Sequence, residues 1–399
     1  MRKKKGIYIH IPFCVKKCNY CAFLSFAAEA EVRMAYVNAL IREIELRSEA
    51  AKDKSIDTVY FGGGTPSVLE VSEIRDIMRA LRSCYDIKED AEITIESNPG
   101  TLGSRENIIS NIFKAYRIIG FNRLSMGVQS MDNDRLSFLG RIHTAETVEK
   151  DVRIARQAGF DNISLDLIFS VPGETKAAAL KDLDEIIALG PEHISCYSLQ
   201  IEEGTPLAEM VDTGELREVP DEDDRETYHA ICKRLKDAGY EHYEISNFAK
   251  PGMRARHNSL YWDMSDYIAF GLGASGFENG VRYKNISDLD AYMINIADGR
   301  LPCSKSSRNT PFDNISEAVF TGLRRIEGIS YEDALQAYIR GGDETMPTDP
   351  ERLFWRVFAD AKKEALEFSR SGHLVIDEEG LRLTEKGIDI SNQIMALFV

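Results

Sequence analysis

No stretch of this chain approaches the roughly 18–20 consecutive apolar residues of a membrane-spanning helix, so no membrane span is expected. Positive charge is also short. The 49 Lys and Arg face 65 Asp and Glu, a formal charge of −16, which disfavours broad binding to nucleic acid or to an anionic membrane surface. The basic start ending at Lys5 is like that of a signal peptide, but the apolar run behind it ends at Phe13 and is broken by His10. It also lacks a small-residue cleavage site. The seven cysteines are odd in number, and Cys84, Cys196, Cys232 and Cys303 are scattered. A secreted disulfide framework would pair and space them differently, so a reducing, cytoplasmic setting is expected.

What is present is an ordinary globular composition, 43% hydrophobic and 29% charged over 399 residues. That suffices for one large α/β domain and a smaller one. One pattern recurs: an amphipathic helical stretch, a glycine, an aromatic or proline, then a β-rich run. The glycines are Gly120, Gly159, Gly190 and Gly239, placed as helix C-caps. Earlier β-rich runs at residues 6–13, 58–61 and 92–96 alternate with helical stretches at 31–48 and 71–81. Strands alternating with helices argue for parallel βαβ units. The polar and glycine-rich residues gather just after the strands, where barrel enzymes build their sites. The expected fold is α/β, a partial, open (β/α)6 TIM-type barrel, with a doubly wound sheet as the alternative. Residues 1–245 would form the barrel and 246–305 a connecting segment. Residues 306–399 would form a C-terminal α+β unit, helical and winged-helix-like. The acidic run at 212–226 reads as a solvated loop and the start of a helix, where negative charge suits the dipole.

The chemistry concentrates in Cys14, Cys18 and Cys21, spaced Cys-x3-Cys-x2-Cys directly after the first β-rich run. Three thiolates on one loop can hold a corner of a cubic iron–sulfur cluster and leave one iron without a protein ligand. An open coordination position is where a metal site does chemistry or binds substrate. The competing reading is a structural zinc site completed by His10. Residues 62–66, Gly-Gly-Gly-Thr-Pro, close the second strand. They are neither a P-loop nor a Gly-x-Gly-x-x-Gly turn, but glycines there let the backbone approach a ligand. Beside the cysteine loop they make a plausible cradle for a small polar ligand on the open iron.

Further motifs follow in a fixed order: Asn122-Arg-Leu-Ser-Met-Gly-Val-Gln129, Leu139-Gly-Arg-Ile-His143 and Asp166-Leu-Ile-Phe-Ser-Val-Pro172. With Tyr8 to Cys14, the glycine segment and Glu96, they resemble the radical S-adenosylmethionine (SAM) superfamily. Within it they resemble the oxygen-independent coproporphyrinogen III oxidases and their HemW-type heme-chaperone branch. The likeness runs from about residue 6 to the C-terminus. It implies a [4Fe-4S] cluster on Cys14, Cys18 and Cys21, SAM chelated to the unique iron, and an electron donor for the cluster. It implies that Tyr8 and Tyr20 pack against cluster and cofactor, and that Gly63, Gly64 and Thr65 meet the methionine end of SAM. Glu96 and Arg141 would pair with its amino and carboxylate groups, while Gln129 and Asp166 would hold the ribose. These residue types suit a zwitterion and a diol.

The branch is read from differences. The oxidases carry a further cysteine two positions after the third cluster cysteine, where this chain has Phe23. They also carry a long N-terminal extension, whereas seven residues precede Tyr8 here. His257-Asn-Ser-Leu-Tyr-Trp262 resembles the HNxxYW signature of the chaperone branch, whose Asp after the third cysteine is Ala22 here. A histidine can ligate heme iron axially, so His257 is the candidate heme ligand; the alternative is a loop histidine held by hydrogen bonds. The implied function is binding of heme and its delivery to recipient hemoproteins. Radical oxidation of coproporphyrinogen III is the alternative, so whether the chain is an enzyme stays open at this point.

Overall fold

The β-rich runs alternate apolar and polar residues, and that alternation builds both the core and the site. The computed structural model describes residues 4–49, 51, 53–340 and 349–399. Its first six strands are β1 (Lys5–Ile11), β2 (Ser55–Gly63), β3 (Asp86–Glu96), β4 (Arg123–Gln129), β5 (Ile163–Phe169) and β6 (His193–Ser198). They lie parallel and side by side in sequence order. A doubly wound sheet reverses its strand order at a switch point. Among these six strands there is none, so the barrel reading holds over the alternative.

Successive residues of a strand face opposite sides. One row is apolar and fully buried, including Ile7, Ile9, Ile11, Val59, Phe61, Ile93, Ile95, Leu124, Met126 and Leu165. It shares one core cluster with helix residues such as Leu40, Ile74, Ile77, Phe113 and Val152. Burying each such side chain stabilises the fold by about 1.5–3 kcal/mol. The opposite row is polar: Thr58, Tyr60, Thr94, Glu96, Arg123, Ser125, Ser164, Asp166, His193 and Ser195. Barrel interiors are commonly filled by branched apolar side chains; this one is lined for a polar ligand. The capping glycines behave as expected, as where helix Glu106–Ile119 ends on Gly120 at φ 116°, a conformation only glycine adopts without steric cost.

Two expectations need correction. Residues 241–244 do not form a further parallel unit. They are strand β7 (Glu241–Glu244), the far edge of the sheet, which pairs antiparallel with β8 (Asn247–Ala249), itself antiparallel to β6. Residues 246–305 are more than a connection, because β9 (Asp266–Phe270) inserts parallel beside β1. From it β10 (Ser275–Glu278), β11 (Val281–Asn285) and β12 (Cys303–Arg308) continue antiparallel, giving a sheet of twelve strands. The stretch 350–371 is two helices, Pro350–Val357 and Lys362–Arg370. The C-terminal hairpin is present as β14 (Leu374–Ile376) and β15 (Gly380–Leu383), with β13 (Ile329–Ser330) added on β15. The acidic run leads into helix Asp221–Asp237, whose first turn holds four carboxylates. Among the described residues no helix is long and apolar enough to cross a membrane.

Candidate cluster and cofactor site

The loop after β1 is pinned at its base and its tip. At the base, the Cys14 N–H donates to the Phe26 carbonyl at 3.0 Å and the Phe26 N–H to the Pro12 carbonyl at 2.9 Å. At the tip, the Asn19 N–H donates to the Leu139 carbonyl at 3.0 Å, and its side-chain amide to the Phe138 carbonyl at 2.8 Å. Between them Cys14, Cys18 and Cys21, all free and half-buried, line one cavity of about 460 Å³. That volume suits a small organic ligand. Burial pushes the Cys21 thiol up, and the nearby Cys18 and Cys14 add to the shift. Three thiolates this close repel one another, so a cationic centre would favour their ionised forms.

The glycine segment runs against the loop base. The Gly64 N–H donates to the Ile11 carbonyl at 2.8 Å and the Thr65 N–H to the Phe13 carbonyl at 2.7 Å. A Cβ on Gly64 would stand 2.6 Å from the Phe13 carbonyl oxygen, so the two backbones touch because no side chain intervenes. Thr65 Oγ1 lies 3.6 Å from the Cys14 sulfur and accepts from the Asn98 amide at 2.9 Å.

The polar row of the strands supplies the opposite wall. Glu96 accepts the Tyr60 hydroxyl at 2.6 Å and the Gly63 N–H at 3.2 Å. Burial still raises it to about 7, because these donors do not offset the loss of water. Asp166 is raised to about 6, also by burial, although Ser195, Arg123 and Arg141 draw it down. Gln129 ends β4 at φ 71°, next to a register shift against β5. A left-handed glutamine is a strained backbone, of the kind that persists at ligand sites. Tyr20 and Arg141 complete the lining.

Two expected residues are not brought to the cavity. Tyr8 is absent from the lining but stands beside it, paired in register with Tyr60 and stacked on its ring, with its hydroxyl 3.0 Å from His10 Nδ1. His257 is buried, with Nδ1 at 2.8 Å from the Thr58 hydroxyl and Nε2 at 2.9 Å from the Tyr261 hydroxyl. With both ring nitrogens engaged it presents no free lone pair to an iron; it is held by hydrogen bonds as the alternative had it, but on a helix and not in a loop. Helix Arg256–Trp262 instead sits at the entering ends of the strands: the Arg256 and His257 N–H groups donate to Glu92 at 3.0 and 2.8 Å. Its neighbour Asn258 does line the cavity. His10 is likewise occupied, by Tyr8 and the Leu24 carbonyl at 3.0 Å, so it is no fourth zinc ligand.

Several lining residues were assigned no role from the motifs: Asn98, Arg123, Ser125, Ser164 and Ser195. Apart from Asn98, they stand on the inward row of strands already identified: stepping by two from Gln129 reaches Ser125 and Arg123, from Asp166 it reaches Ser164, and Ser195 is the register partner of Asp166 on β6. Gly271 to Gly276 also spells Gly-x-Gly-x-x-Gly. It joins two strands instead of opening a helix, and its Gly271 N–H is taken by Glu43 at 2.8 Å, so it is no phosphate cradle.

Residues 8–190 match the model of the radical SAM superfamily. The heme chaperone HemW of Bacillus subtilis is 33% identical over 378 residues, covering 94% of this chain and 97% of the relative. The chain belongs to the HemW family. HemW of Escherichia coli is 37% identical over 273 residues, 68% of this chain and 69% of its own. Among solved structures, coproporphyrinogen III oxidase (HemN) from Escherichia coli superposes with a TM-score of 0.82 at 23% identity, covering 99% of this chain and 90% of that one. That likeness establishes the radical SAM α/β fold.

Membership of the radical SAM superfamily implies a [4Fe-4S] cluster and SAM, and the residues fit both. Three thiols without a protein fourth ligand suit a cluster with one open iron. The buried Arg141 Nε and Arg123 Nε have no hydrogen-bond partner, so the cavity retains donors for a carboxylate-bearing ligand. Among the described residues no three His, Cys, Asp or Glu side chains are arranged to hold a single metal ion.

Proposed function

We propose that this protein is a heme chaperone of the cytoplasm: it carries a [4Fe-4S] cluster on Cys14, Cys18 and Cys21, binds SAM, and binds heme for delivery to recipient hemoproteins. The observation that carries this reading is the whole-length likeness to relatives named as heme chaperones, 33% identity over 97% of the Bacillus subtilis protein. Phe23, exposed at the cavity mouth where the oxidases carry a cysteine, supports the same branch.

In this reading the chain's own groups divide the work. Glu96, held by Tyr60 and Gly63, accepts the N–H groups of the SAM amino end. Arg141 meets its carboxylate, and Gly63, Gly64 and Thr65 give the methionine chain a wall without side-chain bulk. Asp166 and Gln129 accept from the ribose hydroxyls. The cluster, when bound and reduced by an external electron donor, supplies the electron for SAM chemistry. The fold likeness to HemN keeps coproporphyrinogen oxidation as the reading to be tested against.

Anaerobic reconstitution tests the cofactor half. Iron and acid-labile sulfide near four each per chain, with SAM binding by calorimetry, are expected. Stoichiometric zinc without sulfide would refute it. Hemin titration followed by the Soret band tests the cargo half.

A further inference from the structure

The mouth of the cavity differs in character from its walls. Phe23 is exposed there, at 71% of its surface, and Val15 is exposed on the same loop. Phe23 and Ala22 continue into the cavity lining. Within the same lining, Tyr20 and Leu199 pack with Leu139, Ile168 and Val171 in a small apolar cluster separate from the main core. An exposed apolar surface of this kind at the rim of a ligand cavity marks a binding surface.

Charge narrows the ligand. Lys16 and Lys17 both line the cavity, both are exposed, and neither has a carboxylate within ion-pair distance among the described residues. Glu202 is the only exposed acid in the lining. Two adjacent, unpaired cations beside bare aromatic and aliphatic side chains are unusual in a chain of net charge −16. They complement a flat apolar molecule with carboxylates along one edge.

Resting on the heme reading above, we propose that the cysteine loop is itself the docking surface for the porphyrin. Phe23 meets the macrocycle, and Lys16 and Lys17 hold its two propionates. This places heme at the leaving ends of the strands, above the cluster and SAM site. His257 lies at the entering ends, against Thr58, which pairs with Gly6 at the start of β1.

The test titrates reconstituted protein with hemin and with hemin dimethyl ester, whose propionates are capped. Hemin should bind the wild-type protein about tenfold more tightly than the ester, as two exposed ion pairs allow, and added salt should erode that preference. Lys16→Gln/Lys17→Gln should lose the preference and leave ester binding unchanged. Phe23→Ser should weaken both ligands alike. Equal affinity of the wild-type protein for hemin and ester overturns the propionate contact, and this comparison needs no variant that must retain its cluster. Unaltered binding in Phe23→Ser with iron content retained overturns the docking surface. No hemin binding by the wild-type protein would instead sink the chaperone reading on which the proposal rests.

Discussion

Arg141 and Cys18 are joined across the cavity: the guanidinium donates from Nη1 to the Cys18 sulfur at 3.4 Å, and from Nη2 to the Gly127 carbonyl at 2.6 Å. One side chain thus ties the cluster loop to β4, and its buried Nε remains without a partner. A lysine has one point of charge and cannot span both contacts. Arg141→Lys is therefore expected to weaken SAM binding about tenfold, roughly the worth of one charge-assisted hydrogen bond. Calorimetry on reconstituted protein reads the affinity; wild-type affinity in the variant would remove Arg141 from the SAM site.

Glu96 makes the protein without cofactor sensitive to pH. Its folded-state pKa is about 7 against an ordinary 4.5, so folding takes up a proton between those values. Stability therefore falls as pH rises through that window, by up to about 3 kcal/mol once the carboxylate is ionised in both states. Asp166, raised from 3.8 to about 6, acts with the same sign at lower pH. Glu96→Gln should accordingly raise the melting temperature at pH 8 and change it little at pH 5. SAM affinity should show the reverse, falling in the wild-type protein as pH drops below about 7 because a protonated Glu96 is a poorer acceptor. A Glu96→Gln protein that melts lower than wild type at pH 8 would contradict the burial argument.

Much of this site was legible because motif residues and strand periodicity point to the same edge of the sheet. Cys14, Cys18, Cys21, Tyr20, Gly63, Gly64, Thr65, Glu96, Gln129, Arg141 and Asp166 all line one cavity. They come from strand ends and the loops that follow, where a parallel sheet must gather them. His257 and Tyr8 stand outside that lining for the same reason. Residue type suggests a ligand or a stacking partner, but whether a side chain faces the lumen or is spent on neighbours depends on distant chain. Thr58 lies 199 residues from His257, and no local pattern records that pairing. The position of β9 was equally hidden, since it pairs with the first strand across most of the chain.

The structural role assigned to His257 has its own consequence. His257→Ala removes two buried hydrogen bonds and opens a cavity beneath the barrel, costing about 2–4 kcal/mol. The denaturation midpoint should drop, while the Soret maximum of the hemin complex should not move. A displaced Soret maximum with unchanged stability would restore His257 as a heme ligand.

Gly63 tests the contact between the glycine segment and β1. It sits at φ 113°, and a Cβ there would stand 2.5 Å from the His10 ring. Gly63→Ala is expected to cost about 1–3 kcal/mol and to abolish measurable SAM binding, with iron content retained. SAM binding at wild-type strength would show that the cofactor lies elsewhere.

The central claim, heme delivery on a radical SAM scaffold, is tested most directly by one paired measurement on anaerobically reconstituted protein. Heme-loaded protein is mixed with an apo-hemoprotein while a parallel sample receives coproporphyrinogen III, SAM and reductant. The account predicts the appearance of the acceptor's own Soret spectrum and no vinyl product. Protoporphyrinogen formed over many turnovers, with no heme reaching the acceptor, would contradict it.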